Sequence, residues 1–196
     1  MSTAGKIKTT LVLRIGYDGL DKVIWRDVAV HKDMPLNKLA YLILAAFDTM
    51  ANHLYVIRSA GEEFSEGTWE DFKGFDARRT TLADLHLMKG DTLEMEYDIG
   101  CGQLFNIMVL GEKICEADCK VPVIMDGNGC GIIDDRSVLD IIYYIEQIDL
   151  VGKTVEPIYY KDRVEPWDYR NFDIDTINRT LKAEMAKLEM VYGAQI

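Results

Sequence analysis

Hydrophobic and polar residues alternate in two stretches near the start of the chain, a pattern typical of half-buried β-strands. The first stretch, residues 9–17, places four apolar side chains on one face: Leu11, Leu13, Ile15 and Tyr17. The second stretch, residues 23–30, has the same period, and a short polar segment containing Gly19 separates the two. The pattern therefore predicts a β-hairpin.

A helical period replaces the alternation after Pro35, and proline is favoured at the first position of a helix. Apolar residues then recur every three or four positions, as they do in a helix that lies on a sheet. These residues are Leu36, Leu39, Ala40, Ile43, Ala46 and Phe47. Two more helices are predicted after Ser137 and Asp173, because each side chain can cap a helix N-terminus and precedes an apolar stripe.

The segment Thr81–Gly100 combines a short leucine-containing turn with an alternating strand over residues 93–98. Another strand is predicted over residues 52–57, and residues 104–109 predict a further strand in a hairpin with residues 93–98. The order strand, strand, helix, strand, turn, strand is that of a β-grasp, or ubiquitin-like, sheet. We therefore expect an α+β fold, a mixed β-grasp sheet with one main packed helix, extended by an extra strand or hairpin and C-terminal helices.

The chain of 196 residues has room for one domain with a substantial core, and no flexible linker interrupts it. We expect a single domain over residues 1–196, with a β-grasp-like core (9–110), a glycine- and cysteine-bearing loop (111–136) and a helical C-terminal extension (137–196). Residues 60–80 are polar, and we expect an ordered loop held by its aromatic side chains.

Several segments carry motifs that occur together in one protein family. Val23–Val30 resembles an early P-I-W-R-R-V strand, Asn52–Tyr55 is similar to an S-H-L-H-x-F strand, and Asp84–Gly100 resembles an L-x-D-L … G-D-x-x-x-Y-x-Y-D-F-G-D stretch. Weaker matches are a cysteine- and glycine-bearing loop in Pro122–Asp135 and a closing helix in Phe172–Leu181. In this order and spacing the motifs resemble the plasmid pRiA4b ORF-3-like family, over nearly the whole chain.

The chain departs from that family directly after Gly100, where the family has Asp, Trp and His. Here the run is Cys101–Phe105, which lacks the tryptophan and the histidine, so chemistry that needs that histidine is not expected. The resemblance implies a bacterial-type protein but no established activity. Some relatives bear a transposon-resolvase label, which implies at most an accessory role in mobile-element DNA transactions.

Acidic residues outnumber basic residues by 33 to 22, which gives a formal net charge of −11. Phosphate backbones and anionic lipid surfaces repel such a chain, so neither nucleic-acid nor membrane binding is expected. No apolar run is as long as a membrane span, and residues 1–10 lack the apolar segment of a signal peptide. We therefore expect a cytoplasmic protein with reduced cysteines.

Three cysteines, Cys115, Cys119 and Cys130, have spacings within the loose range of structural zinc ligands. Zinc bound there would close the 111–136 loop. The alternative is that the three are unligated thiols that behave as small apolar side chains, with no cofactor. Their spacing alone does not decide between the two.

A second candidate group contains His53 and Asp98, at strand positions within the motifs, together with Asp134 and Asp135. A histidine beside a carboxylate can act as a general base or hold a metal ion, and further carboxylates suit a divalent cation. The alternative is a structural histidine and aspartates that accept hydrogen bonds from turn amides.

On balance the sequence favours a non-enzymatic protein-interaction module that presents a sheet face or the 60–80 loop to a protein partner. The alternative is a metal-binding protein or metal-dependent enzyme with a site around His53, Asp98, Asp134 and Asp135. Cys130 is a further candidate residue for that site. The oligomeric state, and whether the protein is an enzyme, are left open.

Overall fold

The protein has an α+β fold in which three helices accompany one eight-stranded sheet, among the residues that the structure describes. This computed structural model describes residues 8–66, 72–115, 120–159 and 165–194. The strands are β1 Lys8–Tyr17, β2 Trp25–His31, β3 Tyr55–Ser59, β4 Glu62–Ser65, β5 Phe75–Asp76, β6 Thr92–Tyr97, β7 Gln103–Cys115 and β8 Val123–Asn128. The helices are α1 Leu36–Ala46, α2 Val138–Val151 and α3 Ile174–Gly193.

The order of the strands in the sheet is β5-β4-β3-β6-β7-β1-β2-β8. Every neighbouring pair is antiparallel except β4 and β5. The predicted hairpins β1–β2 and β6–β7 are confirmed, as is helix α1 directly after Pro35. Strand β7 lies between β1 and β6 and pairs with both. The combination of one large sheet with three helices confirms the α+β class among the described residues, and the β-grasp assignment stays a prediction.

Two segments that the sequence predicts as loops contain strands, and these predictions are corrected. Strands β4 and β5 lie within 60–80, whereas in 111–136 β7 continues along β1 to Cys115 and β8 pairs with β2. Their polar and glycine residues give little local strand signal, and partner strands far away in the chain supply the hydrogen bonds. Trp69, one of the aromatic residues expected to hold the first segment, lies outside the described residues.

Helix α1 lies in the middle of the core, with nine of its eleven residues buried. Its neighbour α3 packs along it, and Tyr192 of α3 stacks on Tyr41 of α1 at a centroid distance of 5.6 Å. The same Tyr192 meets Tyr55 of β3 edge-on at 5.4 Å. The predicted caps are present as well, since Ser137 caps α2 and Asp173 caps α3. The C-terminal helix is therefore part of the core.

Arg26 of β2 is fully buried and joins three parts of the chain. Its guanidinium lies between the rings of Phe47 and Phe172, at 4.8 and 4.5 Å from their centroids. It also donates hydrogen bonds to the carbonyl oxygens of Ala46 at 3.2 Å and Cys130 at 3.3 Å. These bonds fix the end of α1 against the start of the segment that leads from β8 to α2.

Candidate functional site

Asp98 lies immediately after β6, at the turn into β7. Its φ of 51° is in the left-handed region, which aspartate tolerates better than most residues. Its carbonyl oxygen accepts hydrogen bonds from the backbone N–H groups of Cys101 at 2.9 Å and Gly102 at 2.8 Å, which close the turn. The side chain of Asp98 is 5% exposed, so its carboxylate is held inside the end of the sheet.

His53 precedes β3 and is fixed by two tyrosines. Its carbonyl oxygen accepts a hydrogen bond from the hydroxyl of Tyr192 at 2.6 Å, and its ring meets the ring of Tyr97 edge-on at a centroid distance of 5.6 Å. Helix α3 therefore holds the backbone of His53, while β6 holds its imidazole.

Asp134 and Asp135 come from the segment between β8 and α2. Gln103, fully buried at the start of β7, donates hydrogen bonds from its side-chain nitrogen to the carbonyl oxygens of Ile133 and Arg136, both at 2.8 Å. These two bonds bracket the aspartates and hold the segment against the end of the sheet.

The imidazole of His53 lies between two carboxylates. Its Nδ1 is 3.6 Å from Oδ1 of Asp98, and its Nε2 is 3.1 Å from Oδ1 of Asp135. The second contact is close but lacks hydrogen-bond geometry, so Nε2 has no hydrogen-bond partner among the described residues. One ligand atom from each of the three residues lies within 4.8 Å of the other two, and the side chain of Asp135 is 75% exposed. The side chain of Asp135 therefore lies largely in solvent, while the neighbouring Nε2 of His53 is buried.

Asp134 does not join this cluster. Tyr97 donates a hydrogen bond from its hydroxyl to Oδ1 of Asp134 at 2.5 Å, and the backbone N–H of Met50 donates to Oδ2 at 2.9 Å. Burial raises the pKa of the Asp134 carboxyl, although these hydrogen bonds act in the opposite direction. Both oxygens are engaged, so Asp134 links the turn before β3 to the end of β6. The structure therefore brings His53, Asp98 and Asp135 together and places Asp134 in a separate set of hydrogen bonds, and a role for Asp134 in the site stays a prediction.

Sequence reasoning missed the residues that surround the cluster, namely Tyr97, Cys101, Gln103 and Tyr192. Burial raises the pKa of the Cys101 thiol, and the carboxylate of Asp98 raises it further. The position of Cys101 in the turn could have been found from the motif that ends at Gly100. Tyr192 offers no such signal, because it approaches His53 only through the packing of α3.

The predicted zinc ligands Cys115, Cys119 and Cys130 are a separate matter. Cys119 and the side chain of Cys115 lie outside the described residues. The thiol of Cys130 is buried and donates a hydrogen bond to the carbonyl oxygen of Gly131 at 3.4 Å. A zinc site formed by these three cysteines stays a prediction.

Two clefts lie away from the cluster. One of about 740 Å³ lies between the end of α1 and the start of α3 and includes Arg26 in its lining, and one of about 710 Å³ lies over the sheet beside Arg14 and Arg58. Neither is lined by His53, Asp98 or Asp135. The chemistry-bearing side chains therefore lie outside both of these clefts. In the part of the chain that the structure describes, no helix combines the length and hydrophobicity needed to cross a membrane.

The fold resembles that of a solved structure, a protein of unknown function, MM3350, from Methanosarcina mazei Go1. The two share 16% sequence identity with a TM-score of 0.71, and the match covers 87% of this chain and 97% of that chain. At this identity the likeness shows the fold alone. Comparison with curated proteins gives no significant match.

The family model described as plasmid pRiA4b ORF-3-like protein matches residues 9–181. The chain therefore belongs to the plasmid pRiA4b ORF-3-like protein family.

Proposed function

We propose that the protein binds one divalent transition-metal ion through His53, Asp98 and Asp135. The observation that carries this proposal is the convergence of an imidazole nitrogen and two carboxylate oxygens within 4.8 Å of one another. Distant parts of the chain supply the three side chains, and separate hydrogen bonds hold each of them in place.

The electrostatics of the cluster favour a cation. Two carboxylates close to one imidazole repel each other, and burial of Asp98 removes water that would otherwise offset its charge. A divalent ion compensates both effects at once, because it attracts both carboxylates and replaces the lost solvation. The neighbouring thiol of Cys101 cannot offset the repulsion between the carboxylates, because a thiol carries no positive charge.

The donor set also indicates the kind of ion. Imidazole nitrogen suits zinc, iron and nickel, whereas an all-oxygen site would suit magnesium or calcium. Three protein ligands leave at least one coordination position open, as in catalytic zinc sites, where water occupies the fourth position. A metal bound here would lower the pKa of such a water and make it a nucleophile. That is the chemistry that a metal-dependent enzyme in this family would use.

Calorimetric titration of zinc and manganese into the metal-free full-length protein tests the proposal. We expect one equivalent to bind to the wild type, and binding to be lost in His53→Asn, Asp98→Asn and Asp135→Asn. Matched controls are His86→Asn and Asp33→Asn, which change exposed residues outside the cluster. Absence of binding to the wild type, or equal binding by the cluster variants and their controls, would refute the site.

A protein-interaction role remains a second proposal, and one surface supports it. Helix α2 buries Ile141, Ile145 and Ile148 but also exposes a second apolar set, and large exposed apolar patches mark interaction surfaces. The exposed set, continued after the helix, is Leu139, Tyr143, Leu150, Val151 and Val155. A second copy of the chain is the simplest occupant, because it would present the same apolar patch. Light scattering across a range of concentrations tests this, and a monomer throughout would exclude self-association.

A further inference from the structure

Three buried polar atoms belong to Asp98 and to two residues of the neighbouring strands. The atoms are the hydroxyl of Tyr17, Oε1 of Gln103 and Oδ2 of Asp98. Tyr17 and Gln103 are 0% exposed and Asp98 is 4% exposed. None of the three atoms has a hydrogen-bond partner among the described residues.

The strand register makes these residues neighbours at one end of the sheet. Tyr17 of β1 pairs with Phe105 of β7, and Gln103 lies two residues before Phe105 on the same inward face. Gln103 in turn pairs with Tyr97, the residue directly before Asp98. Diagonal neighbours on one face of a sheet are within reach of long side chains.

Electrostatics agree with this placement. Burial raises the pKa of the Tyr17 hydroxyl, and the negative charge of Asp98 raises it further. The hydroxyl therefore stays protonated and serves as a hydrogen-bond donor.

The three atoms match the hydrogen-bonding capacity of one water molecule. Buried polar atoms without partners are costly and rare, and buried waters make two to four hydrogen bonds to such atoms. A tyrosine hydroxyl supplies one donor, while the amide oxygen and the carboxylate oxygen are acceptors. A water that accepts from Tyr17 and donates one proton each to Gln103 and Asp98 satisfies all three.

We infer that Tyr17, Gln103 and Asp98 form an internal binding site for one water molecule, which links the hydroxyl of Tyr17 to the inner oxygen of Asp98. Oδ1 of Asp98 faces His53, and the water donates its hydrogen bond to Oδ2, the other oxygen of the same carboxylate. Tyr17 is then a positioning residue for Asp98. The water site stands on its own, whereas the positioning role rests on the proposed metal site. Hydrogen bonds behind a ligating carboxylate typically change metal affinity about 10- to 100-fold.

The variant Tyr17→Phe tests the water site in the metal-free protein. It removes one oxygen and leaves the ring in place. If water bridges the hydroxyl to Asp98, we expect the melting temperature to fall, because the water and the carboxylate lose a partner. If the hydroxyl is unpartnered, its removal relieves a cost and the melting temperature rises, which would overturn the inference. A high-resolution crystal structure of the wild type gives a second readout: density for a water in contact with all three residues is expected, and its absence would also overturn it.

Metal titration of the same variant tests the positioning role. We expect Tyr17→Phe to bind zinc about 10-fold more weakly than the wild type. The matched control Tyr159→Phe, at an exposed tyrosine outside the site, should bind like the wild type. If Tyr17→Phe has a lowered melting temperature but an unchanged affinity for zinc, the water site is supported and the positioning role is refuted. A wild type that binds no metal would refute the proposed function, while the melting temperature would still decide the water site.

Discussion

Asp134 and Asp135 are adjacent in the chain, yet their carboxylates make different contacts because successive side chains point in different directions. Asp135 faces Nε2 of His53, whereas both oxygens of Asp134 accept hydrogen bonds from Tyr97 and from the backbone N–H of Met50. The hydroxyl of Tyr97 also accepts a hydrogen bond from the backbone N–H of Asn52 at 3.2 Å. One aspartate therefore belongs to the candidate site, and the other holds the chain around it.

We expect Tyr97→Phe to lower the free energy of unfolding by about 1–3 kcal/mol, because a buried carboxylate loses a hydrogen-bond donor. Urea denaturation measures the change. Tyr169→Phe is a control, since Tyr169 hydrogen-bonds to Asp149 at a more exposed position. An effect of Tyr97→Phe no larger than that of the control would contradict the role assigned to the Asp134 contact.

A pH-dependent contribution is expected from Asp168. Hydrogen bonds from Arg170, at 2.9 and 2.6 Å, lower the pKa of the Asp168 carboxyl. Because its folded-state pKa lies below the unfolded value of about 3.9, the carboxylate stabilises the fold above that value and loses this effect as the pH falls through the folded-state pKa. Asp168→Asn should therefore destabilise the protein near neutral pH and have little effect in strong acid. Urea denaturation at both pH values measures this, and equal effects would contradict it.

At the scale of elements, α3 protects one edge of the sheet. The side chain of Asn178 accepts a hydrogen bond from the backbone N–H of Ile124 at 2.8 Å and donates to its carbonyl oxygen at 2.9 Å. It thereby occupies the position that another strand would take beside β8. Unpaired edges invite pairing with other chains, so a helix that covers one also limits aggregation.

We expect Asn178→Ala to speed hydrogen exchange at the backbone amide of Ile124, because that N–H loses its partner on the outer side of β8. Exchange measured by NMR reports the change at single amides. Thr180→Ala is a control, since the Thr180 hydroxyl donates to carbonyl oxygens of α3 itself, those of Thr176 and Ile177. Unaltered exchange at Ile124 would show that α3 does not hold this edge.

Elements defined by local signals could be predicted from the sequence, and elements defined by distant partners could not. Pro35, Ser137 and Asp173 each mark a helix start through chemistry contained within a few residues. Strand β8 has no comparable signal, since it becomes a strand only by pairing with β2 about a hundred residues earlier. The candidate site follows the same division. His53 and Asp98 belong to recognisable motifs, but the hydroxyl of Tyr192 reaches His53 only because α3 packs on α1.

At the scale of the whole molecule, the candidate site is a meeting point of distant segments. Asp98 follows β6, His53 precedes β3, and Asp135 lies in the segment between β8 and α2. Helix α3 also contributes, because its Tyr192 hydroxyl donates a hydrogen bond to the carbonyl oxygen of His53. A ligand held by all of these segments binds the folded protein and not the unfolded chain. Binding is therefore linked to global stability.

We expect zinc at a free concentration 100 times its dissociation constant to raise the free energy of unfolding by about 2.7 kcal/mol. Thermal unfolding with and without zinc measures this as a shift of the melting temperature. His53→Asn should show no shift, and His86→Asn should shift like the wild type. A shift that survives in His53→Asn would place the ion elsewhere in the molecule.

The central claim is that His53, Asp98 and Asp135 bind a metal ion, and a crystal structure of the zinc-soaked protein with anomalous scattering tests it most directly. The account predicts one strong anomalous peak, with zinc about 2.0–2.2 Å from one ring nitrogen of His53 and from one oxygen of each aspartate. A protein without a peak at this cluster, or one whose only peak lies at Cys115, Cys119 and Cys130, would contradict it.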